Sequence, residues 1–299
     1  MSLFQAFLEA FPNDPDQTVL WTCDSEHYSY RDLYEFSGQL ANALQQNGLK
    51  SGDTIAIQTG KSADLVFLYL ASLRVGLTCL PLNPSIALSD LSASPETQRL
   101  SLLVCSPDKE EQAQESAADL NIASILTLGT RGDGSLMSAC ITQDLLFQDS
   151  PLAADTPAAL LPSGTTENRA VLTSMTQADL LREARDLVKK HSLNGEDVLL
   201  HALPAYQKHG LFSLVNMALL SGSKICYLKS FDAVRMTGLL PRITVMAGNP
   251  VVYQHWISSS SFTGDIPQSV RSCLCAGGLP SKESSDLFYD YTRRKINIL

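Results

Sequence analysis

The sequence predicts an α/β fold in which helices cover largely parallel β-sheets. Segments whose apolar residues recur at helical spacing alternate along the chain with short apolar segments bounded by turn residues, and such alternation is typical of parallel sheets. A chain of 299 residues is long enough for about two domains. A polar stretch over residues 148–157 indicates a boundary near Ser150. We therefore expect one α/β subdomain over residues 1–150 and a second over residues 151–299.

Two helices and four strands are predicted in the first half. One helix follows Ser29 and stops at Gly48, and another follows Ser62 and stops at Gly76. Serine can accept a hydrogen bond from a free amide at a helix start, and glycine tolerates the left-handed conformation that ends a helix. Short apolar segments predict strands over residues 54–57, 77–82, 102–105 and 122–128.

The second half repeats this alternation. Thr176 and Asp179 have the spacing of a capping box, and apolar residues at helical spacing follow as far as Val188. Further strands are predicted over residues 198–202, 224–228, 244–247 and 272–276.

The charge of the chain argues against nucleic-acid binding. The net charge is −9 and the pI is near 5.0, whereas proteins that bind the phosphate backbone carry a basic patch. The densest basic runs are Arg293-Arg294-Lys295 and Lys189-Lys190. We interpret both as solvated helix ends, where positive charge is favourable.

The sequence predicts a cytoplasmic protein without a membrane span. The N-terminus lacks the basic region of a signal peptide. The most apolar stretch, over residues 65–82, is interrupted by Arg74, whereas a membrane span needs about 20 apolar residues. Seven scattered cysteines without paired metal-ligand spacing predict buried, reduced thiols and no metal site.

The strongest local signal for chemistry is an apolar segment followed by Ser163-Gly164-Thr165-Thr166. We expect a strand that leads into a loop rich in hydroxyl groups. Glycine lets the backbone approach a ligand closely, and hydroxyl and amide groups can bind phosphate oxygens. An ordinary polar turn has the same composition, so these residues alone leave both interpretations open.

Six motifs in the same order resemble those of adenylate-forming enzymes, the family of acyl-CoA synthetases, nonribosomal-peptide adenylation domains and luciferases. The matching segments cover nearly the whole chain; they are residues 29–33, 51–57, 80–84, 163–166, 203–211 and 276–280. The resemblance implies the N-terminal part of such an enzyme, with stacked, mixed and largely parallel sheets and flanking helices.

The resemblance also implies site residues and ligands. Ser163, Gly164, Thr165 and Thr166 would bind the ATP phosphates, and Arg169 would replace the lysine that follows in the family. The adenine and acyl pocket would include His209, Gly277 and Gly278. The implied reaction activates a carboxylic acid with ATP and Mg²⁺ and transfers the acyl group to the thiol of CoA or of a carrier protein.

Two departures from the family pattern bear on activity. Glu167 stands where the family has glycine, and a carboxylate about 5 Å from a phosphate charge costs roughly 3 kcal/mol at an effective dielectric constant of about 20. The chain also ends before the family's Thr-Glu motif and its C-terminal domain with the catalytic lysine, so the sequence identifies no catalytic residue.

Two interpretations of the function remain open at this point. The chain is either a truncated ligase domain of reduced activity, or a non-catalytic relative that acts as a binding or scaffold partner of a separate enzyme or carrier protein. A homodimer or a protein complex is expected from an apolar surface at the C-terminal strand. A hydride-transfer enzyme is disfavoured, because no G-x-G-x-x-G motif follows a strand.

Overall fold

The computed structural model describes residues 1–87, 100–117, 121–166 and 169–299, and the side chains of residues 162–171 lie outside that description. The helices are α1 (Leu3–Ala10), α2 (Tyr30–Gln46), α3 (Ala63–Val75), α4 (Glu110–Ala117), α5 (Ser135–Cys140), α6 (Gln177–His191), α7 (Leu214–Ser221), α8 (Ala233–Leu239), α9 (Pro250–Ile257) and α10 (Lys282–Thr292). The strands are β1 (Thr18–Thr22), β2 (His27–Ser29), β3 (Thr54–Gln58), β4 (Thr78–Pro81), β5 (Leu100–Cys105), β6 (Ile125–Thr127), β7 (Pro157–Thr166), β8 (Arg169–Thr176), β9 (Val198–His201), β10 (Lys224–Tyr227), β11 (Val245–Gly248), β12 (Ser272–Cys275) and β13 (Ile296–Ile298).

These strands form two mixed sheets in which most neighbours are parallel. One sheet has the order β6-β5-β3-β4-β7-β8, and the other has the order β13-β12-β11-β9-β10-β1-β2. The antiparallel pairs are β7 with β8 and β1 with β2. The predicted α/β class with largely parallel sheets is therefore confirmed.

Contacts between Cα atoms divide the chain into two compact units. The first unit contains the six-stranded sheet and comprises residues 1–9, 31–183 and 205–211; the second contains the seven-stranded sheet and comprises residues 10–30, 184–204 and 212–299. Because each unit combines separate segments of the chain, this division does not test the predicted sequence boundary near Ser150, which stays a prediction.

Each unit has an apolar core on its own sheet. In the first unit, buried residues of β3, β4 and β5 pack with Leu160 of β7 and Leu172 of β8. In the second unit, Trp256 of α9 and Phe288 of α10 pack against strands β9 to β12. Burial of such large side chains supplies about 1.5–3 kcal/mol each.

The predicted helix boundaries agree with the structure where caps were proposed. The Ser62 side chain accepts a hydrogen bond from the Leu65 amide, and Gly76 ends α3 with a φ of +85°. The Thr176 hydroxyl accepts from the Asp179 amide at 3.1 Å, while Asp179 accepts from the Thr176 amide at the same distance. One strand is shorter than predicted, because β6 includes only the last part of residues 122–128.

The cysteines are free thiols, as predicted, and all except the half-buried Cys23 are buried. Burial raises the pKa of the Cys79 thiol to about 12, and a thiol that stays protonated is a poor nucleophile. Among the described residues, no helix has both the length and the apolar character needed to cross a membrane.

A buried arginine interrupts the apolar helix α3. The side chain of Arg74 is fully buried and forms a two-pronged ion pair with Asp149, with both N–O distances at 2.9 Å. Its remaining donors bind the Tyr34 carbonyl at 2.7 Å, the Ser37 hydroxyl at 3.0 Å and the Phe147 carbonyl at 3.3 Å. The guanidinium group therefore joins α2, α3 and the segment around Asp149.

Aromatic rings enclose the same guanidinium group. Its carbon lies 4.7 Å from the ring centre of Phe4, 4.6 Å from that of Tyr34 and 5.3 Å from that of Phe147. These distances allow cation–π attraction, which is stronger at a site shielded from water. Arg74 thus has a structural role that its interruption of an apolar segment did not reveal.

Asp149→Asn is expected to lower the free energy of unfolding by about 3 kcal/mol, because it leaves a buried guanidinium group without its charge partner. Urea unfolding followed by circular dichroism measures the change. The control is Asp290→Asn, which removes an exposed pair with Arg293 at 3.8 Å and should cost less than about 1 kcal/mol. Equal losses in the two variants would contradict the structural role of Arg74.

Candidate functional site

The predicted phosphate-binding residues lie on a β-hairpin of the first unit. Strand β7 extends to Thr166 and pairs with β8, so that Thr166 is opposite Arg169 and Gly164 is opposite Val171. The register shifts between Pro162 and Gly164, which is the mark of a β-bulge. The prediction of a loop at residues 163–166 is therefore wrong, because β8 supplies backbone partners that prolong the strand.

The chemical role of this hairpin stays a prediction. The side chains of Ser163, Gly164, Thr165, Thr166 and Arg169 lie outside the described part of the structure, as do residues 167 and 168 entirely. The pairing brings the backbone of the four-residue motif close to the backbone that carries Arg169. A hairpin end of this composition can present hydroxyl and amide groups to an anion.

His209 belongs to the same unit and begins a single π-helical turn, His209–Ser213. Such turns occur frequently at functional sites. Burial is the main cause that lowers the pKa of His209, and the positive charge of Lys208 lowers it further, while Glu183 opposes the shift. The imidazole is therefore neutral at pH 7, with one nitrogen able to donate a hydrogen bond and one able to accept.

An ion pair that the sequence analysis missed lies beside this histidine. Lys208 and Glu183 are 2.6 Å apart, and both side chains are partly buried. The pair connects the last residue before the π-helical turn to helix α6. No sequence signal could identify it, because the two residues are separated by 25 positions and belong to no shared motif.

Gly277 and Gly278 follow strand β12 in the second unit, and their backbone requires glycine. Their φ angles are +80° and +117°, a region that residues with a side chain rarely adopt. A Cβ atom at either position would meet nothing within 4 Å. The backbone of both glycines is therefore not covered by neighbouring atoms on the Cβ side, and a flat ligand could approach it closely.

The position of these glycines in the sheet is typical of a ligand site. From β9 the chain passes to β10 on one side and then returns to β11, β12 and β13 on the other. Ligands of open parallel sheets bind outside the carboxyl ends of the strands, where the order reverses. The carboxyl ends of β9, β11 and β12 share one edge of the sheet, so Gly277 and Gly278 lie at that edge.

Asn249 is a second polar residue at this edge that the sequence analysis did not identify. It follows β11, and its side-chain oxygen accepts a hydrogen bond from the Val252 amide at 2.9 Å. The signal was present, because asparagine followed by Pro250 is typical of a helix start. After β12, the Ala276 amide donates a hydrogen bond to the Gly248 carbonyl at the end of β11, at 2.9 Å.

The site residues predicted from sequence therefore fall into two groups. The hairpin residues and His209 belong to the first unit, and the glycine pair belongs to the second. Within the described residues, no group of three or more histidine, cysteine, aspartate or glutamate side chains could hold a metal ion. The glycine pair offers backbone groups, and His209 offers a neutral imidazole.

Comparison with known proteins gives one consistent result. A family model described as "AMP-binding enzyme" matches residues 7–298. The solved structure of apo MatB from Rhodopseudomonas palustris is 29% identical and superposes with a TM-score of 0.89 over 99% of this chain and 59% of that chain. The ATP-bound structure of the same protein gives a TM-score of 0.90 with the same identity and coverage.

Two of the curated relatives are CoA ligases of greater length. The oxalate–CoA ligase of Arabidopsis thaliana is 23% identical over 71% of this chain and 42% of that protein. The sulfoacetate–CoA ligase of Cupriavidus necator is 26% identical over 73% of this chain and 43% of that protein. The matched region is thus less than half of each relative.

The titration of His209 tests the described environment. We expect its pKa below the ordinary value of 6.5, higher in Lys208→Gln and lower in Glu183→Gln, because these changes remove a cation and an anion respectively. Because the pKa of His209 is lower in the folded protein than in the unfolded chain, the unfolded chain binds the imidazole proton more tightly. The contribution of His209 to stability is therefore complete above pH 6.5 and decreases as the pH falls towards the folded pKa.

Histidine NMR signals followed against pH provide the measurement, with the exposed His27 as an internal control that neither substitution should affect. A His209 pKa at or above 6.5, or the same shift in both variants, would contradict the described arrangement.

Proposed function

The chain belongs to the AMP-binding enzyme family, and on that premise we propose that it binds ATP and a carboxylic acid and forms an acyl-adenylate. The observation that carries the proposal is the family match over residues 7–298. The likeness to MatB supports it, since that protein has an ATP-bound structure at 29% identity. The similar fold alone would not suffice, because one fold can serve many functions.

The proposed reaction has two steps. A carboxylate oxygen attacks the α-phosphorus of ATP, the new oxygen–phosphorus bond gives acyl-AMP, and pyrophosphate leaves with the electrons of the broken bond. A thiolate then attacks the acyl carbon, a thioester forms, and AMP leaves. Such chemistry depends mainly on positioning and on neutralising the charge of the phosphates.

Several residues have proposed roles in binding. The hairpin with Ser163, Gly164, Thr165, Thr166 and Arg169 would bind the ATP phosphates through hydroxyl, amide and guanidinium donors. Gly277 and Gly278 would let the adenine approach the backbone, which is supported by their positive φ angles and open surroundings. The neutral imidazole of His209 would border the carboxylic acid without adding a charge.

Mg²⁺ enters the proposal together with ATP rather than through a preformed protein site. Magnesium is commonly held by substrate phosphates with one or two protein carboxylates and several waters. The thiol of CoA is the proposed acceptor, because the relatives from Arabidopsis thaliana and Cupriavidus necator are named as CoA ligases, and a carrier-protein thiol is the alternative. The predicted cytoplasmic location and the predicted dimer or protein partner remain predictions.

Thermal unfolding with and without Mg-ATP is the first test of the nucleotide site. A ligand that binds only the native state at 100 times its Kd stabilises by about 2.7 kcal/mol. We expect a rise in Tm with Mg-ATP that is lost in the Thr165→Ala/Thr166→Ala variant, whose ligand-free Tm provides the control for folding. Absence of a shift in the parent chain at millimolar Mg-ATP would favour the non-catalytic scaffold interpretation.

A positive shift would be followed by pyrophosphate exchange with a panel of acids that includes oxalate, sulfoacetate and 4-coumarate, the acids named in the relatives. Exchange at the rate of the named CoA ligases would contradict the impaired ATP binding expected from Glu167.

Replacing Glu167 tests the proposed repulsion of the polyphosphate. Removing one carboxylate about 5 Å from a phosphate charge relieves roughly 3 kcal/mol, so Glu167→Gln is expected to lower the Kd for Mg-ATP by up to about a hundredfold. Isothermal titration calorimetry measures the Kd, and Glu196→Gln, at an exposed position, controls for net charge. Equal Kd values for the parent and both variants would show that Glu167 does not face the phosphates.

A further inference from the structure

Two basic segments that are distant in sequence meet in the second unit of this acidic protein. Lys189 and Lys190 occupy the last turn of α6, as predicted for a helix end. Arg293 is the C-cap of α10, in agreement with the predicted helix end, and Arg294 and Lys295 follow it in the connection to β13. Lys190 donates to the Ile298 carbonyl of β13 at 2.9 Å, which brings the end of α6 beside this strand.

A cavity of about 190 Å³ lies at the amino ends of β12 and β13. It is lined by three cationic residues and by small or polar ones, which are Arg271, Arg294, Lys295, Ser272, Cys273 and Asn297. This volume is several times the roughly 30 Å³ that one water molecule occupies. The cavity therefore has room for a tetrahedral oxyanion with bound water.

The three cations differ in how far they are neutralised. Arg271 is paired with the buried Asp197 at 2.6 Å, and its other donors bind the carbonyl oxygens of His191 and Ser192. Arg294 donates to the Pro267 carbonyl at 2.9 Å. Among the described residues, neither Arg294 nor Lys295 has a carboxylate within ion-pair distance, so the cavity keeps a net positive charge.

The positive charge around the cavity affects the pKa values of His191 and Cys273. The pKa of His191 is lowered mainly by burial and further by the charges of Lys190 and Arg271. Burial raises the pKa of Cys273 to about 12, and the charge of Arg294 opposes that rise. The imidazole Nε2 of His191 is buried and has no hydrogen-bond partner among the described residues.

We propose that this cavity, called here the amino-edge cavity, binds a phosphate group through Arg294 and Lys295. A guanidinium group offers paired donors that match phosphate oxygens, and an ammonium group adds a compact charge. The Asn297 amide and the Ser272 hydroxyl supply neutral donors. Orthophosphate and the phosphate of a nucleotide share this chemistry.

The amino-edge cavity is separate from the glycine pair of the same unit. Gly277 and Gly278 follow the carboxyl end of β12, whereas Ser272 begins that strand. The two positions are thus at opposite edges of one sheet. Binding at the cavity does not depend on the proposed adenylate-forming reaction, and the failure of either proposal leaves the other standing.

Histidine NMR provides the test, because the chain has only five histidines and His191 contacts Arg271. The labelled protein is titrated with sodium phosphate at constant pH and ionic strength, with sodium chloride and sodium acetate as comparison salts. We expect a saturable shift of the His191 signal with phosphate, assigned through a His191→Gln variant. The same shift with chloride or acetate would overturn the assignment to phosphate.

Charge-removing variants locate the response. Arg294→Gln/Lys295→Gln is expected to weaken phosphate binding at least tenfold, whereas Lys282→Gln, which removes a cation from α10 outside the cavity, should leave it unchanged. If the double variant fails to fold, Lys295→Gln alone, at an exposed position, provides the same comparison. A His191 shift that survives the substitution would overturn the proposal.

A second arm distinguishes the two sources of the phosphate. AMP is titrated against adenosine, and only the His191 signal is scored, because AMP can also bind at an adenylate site. A His191 shift with AMP at lower concentration than with orthophosphate identifies a nucleotide as the ligand. A shift with orthophosphate but not with AMP identifies the free anion, and no shift with either ligand would refute the site.

Discussion

Parallel strand pairing is the constraint on which the rest of this structure depends. Parallel strands cannot be joined by tight turns, so the chain must cross back through helices between most of them. In each unit this crossing proceeds in both directions from one strand, from β3 in the first and from β9 in the second. The carboxyl ends of the strands then lie at one edge, where the order reverses and ligands of such sheets bind. The glycine pair owes its position to this arrangement, since it follows β12 directly.

The charged groups of the protein serve two different purposes. Arg74 is fully neutralised by Asp149, by carbonyl oxygens and by three aromatic rings, so it can only stabilise the fold. Arg294 and Lys295 have no carboxylate partner among the described residues, and both line a cavity. A buried charge must be paired to repay its desolvation, whereas a solvated charge keeps its attraction for an anion. The surroundings of each cation, rather than its residue type, therefore decide whether it stabilises the fold or can bind an anion.

Much of the fold and part of the candidate site could be predicted from particular residues. Ser62, Gly76 and the pair Thr176–Asp179 marked helix ends correctly because capping is a local interaction. The family resemblance pointed to Gly277 and Gly278, and the structure gives both a positive φ angle. The hairpin at residues 163–166 was mistaken for a loop, since the pairing of β7 with β8 overrides the loop preference of serine and glycine. The pair Lys208–Glu183 could not be predicted, because its two residues meet only through folding.

The sequence by itself determined the α/β class, the positions of most helices and strands, and the motif order that identifies the AMP-binding family. These features depend on neighbouring residues, whose spacing decides which face is apolar and where a backbone can turn. Tertiary structure alone decided the strand order, the burial of Arg74, the lowered pKa of His209 and the meeting of two basic segments at the amino-edge cavity. Each of these depends on residues far apart in the chain, and the distance between them becomes defined only when the sheets have formed.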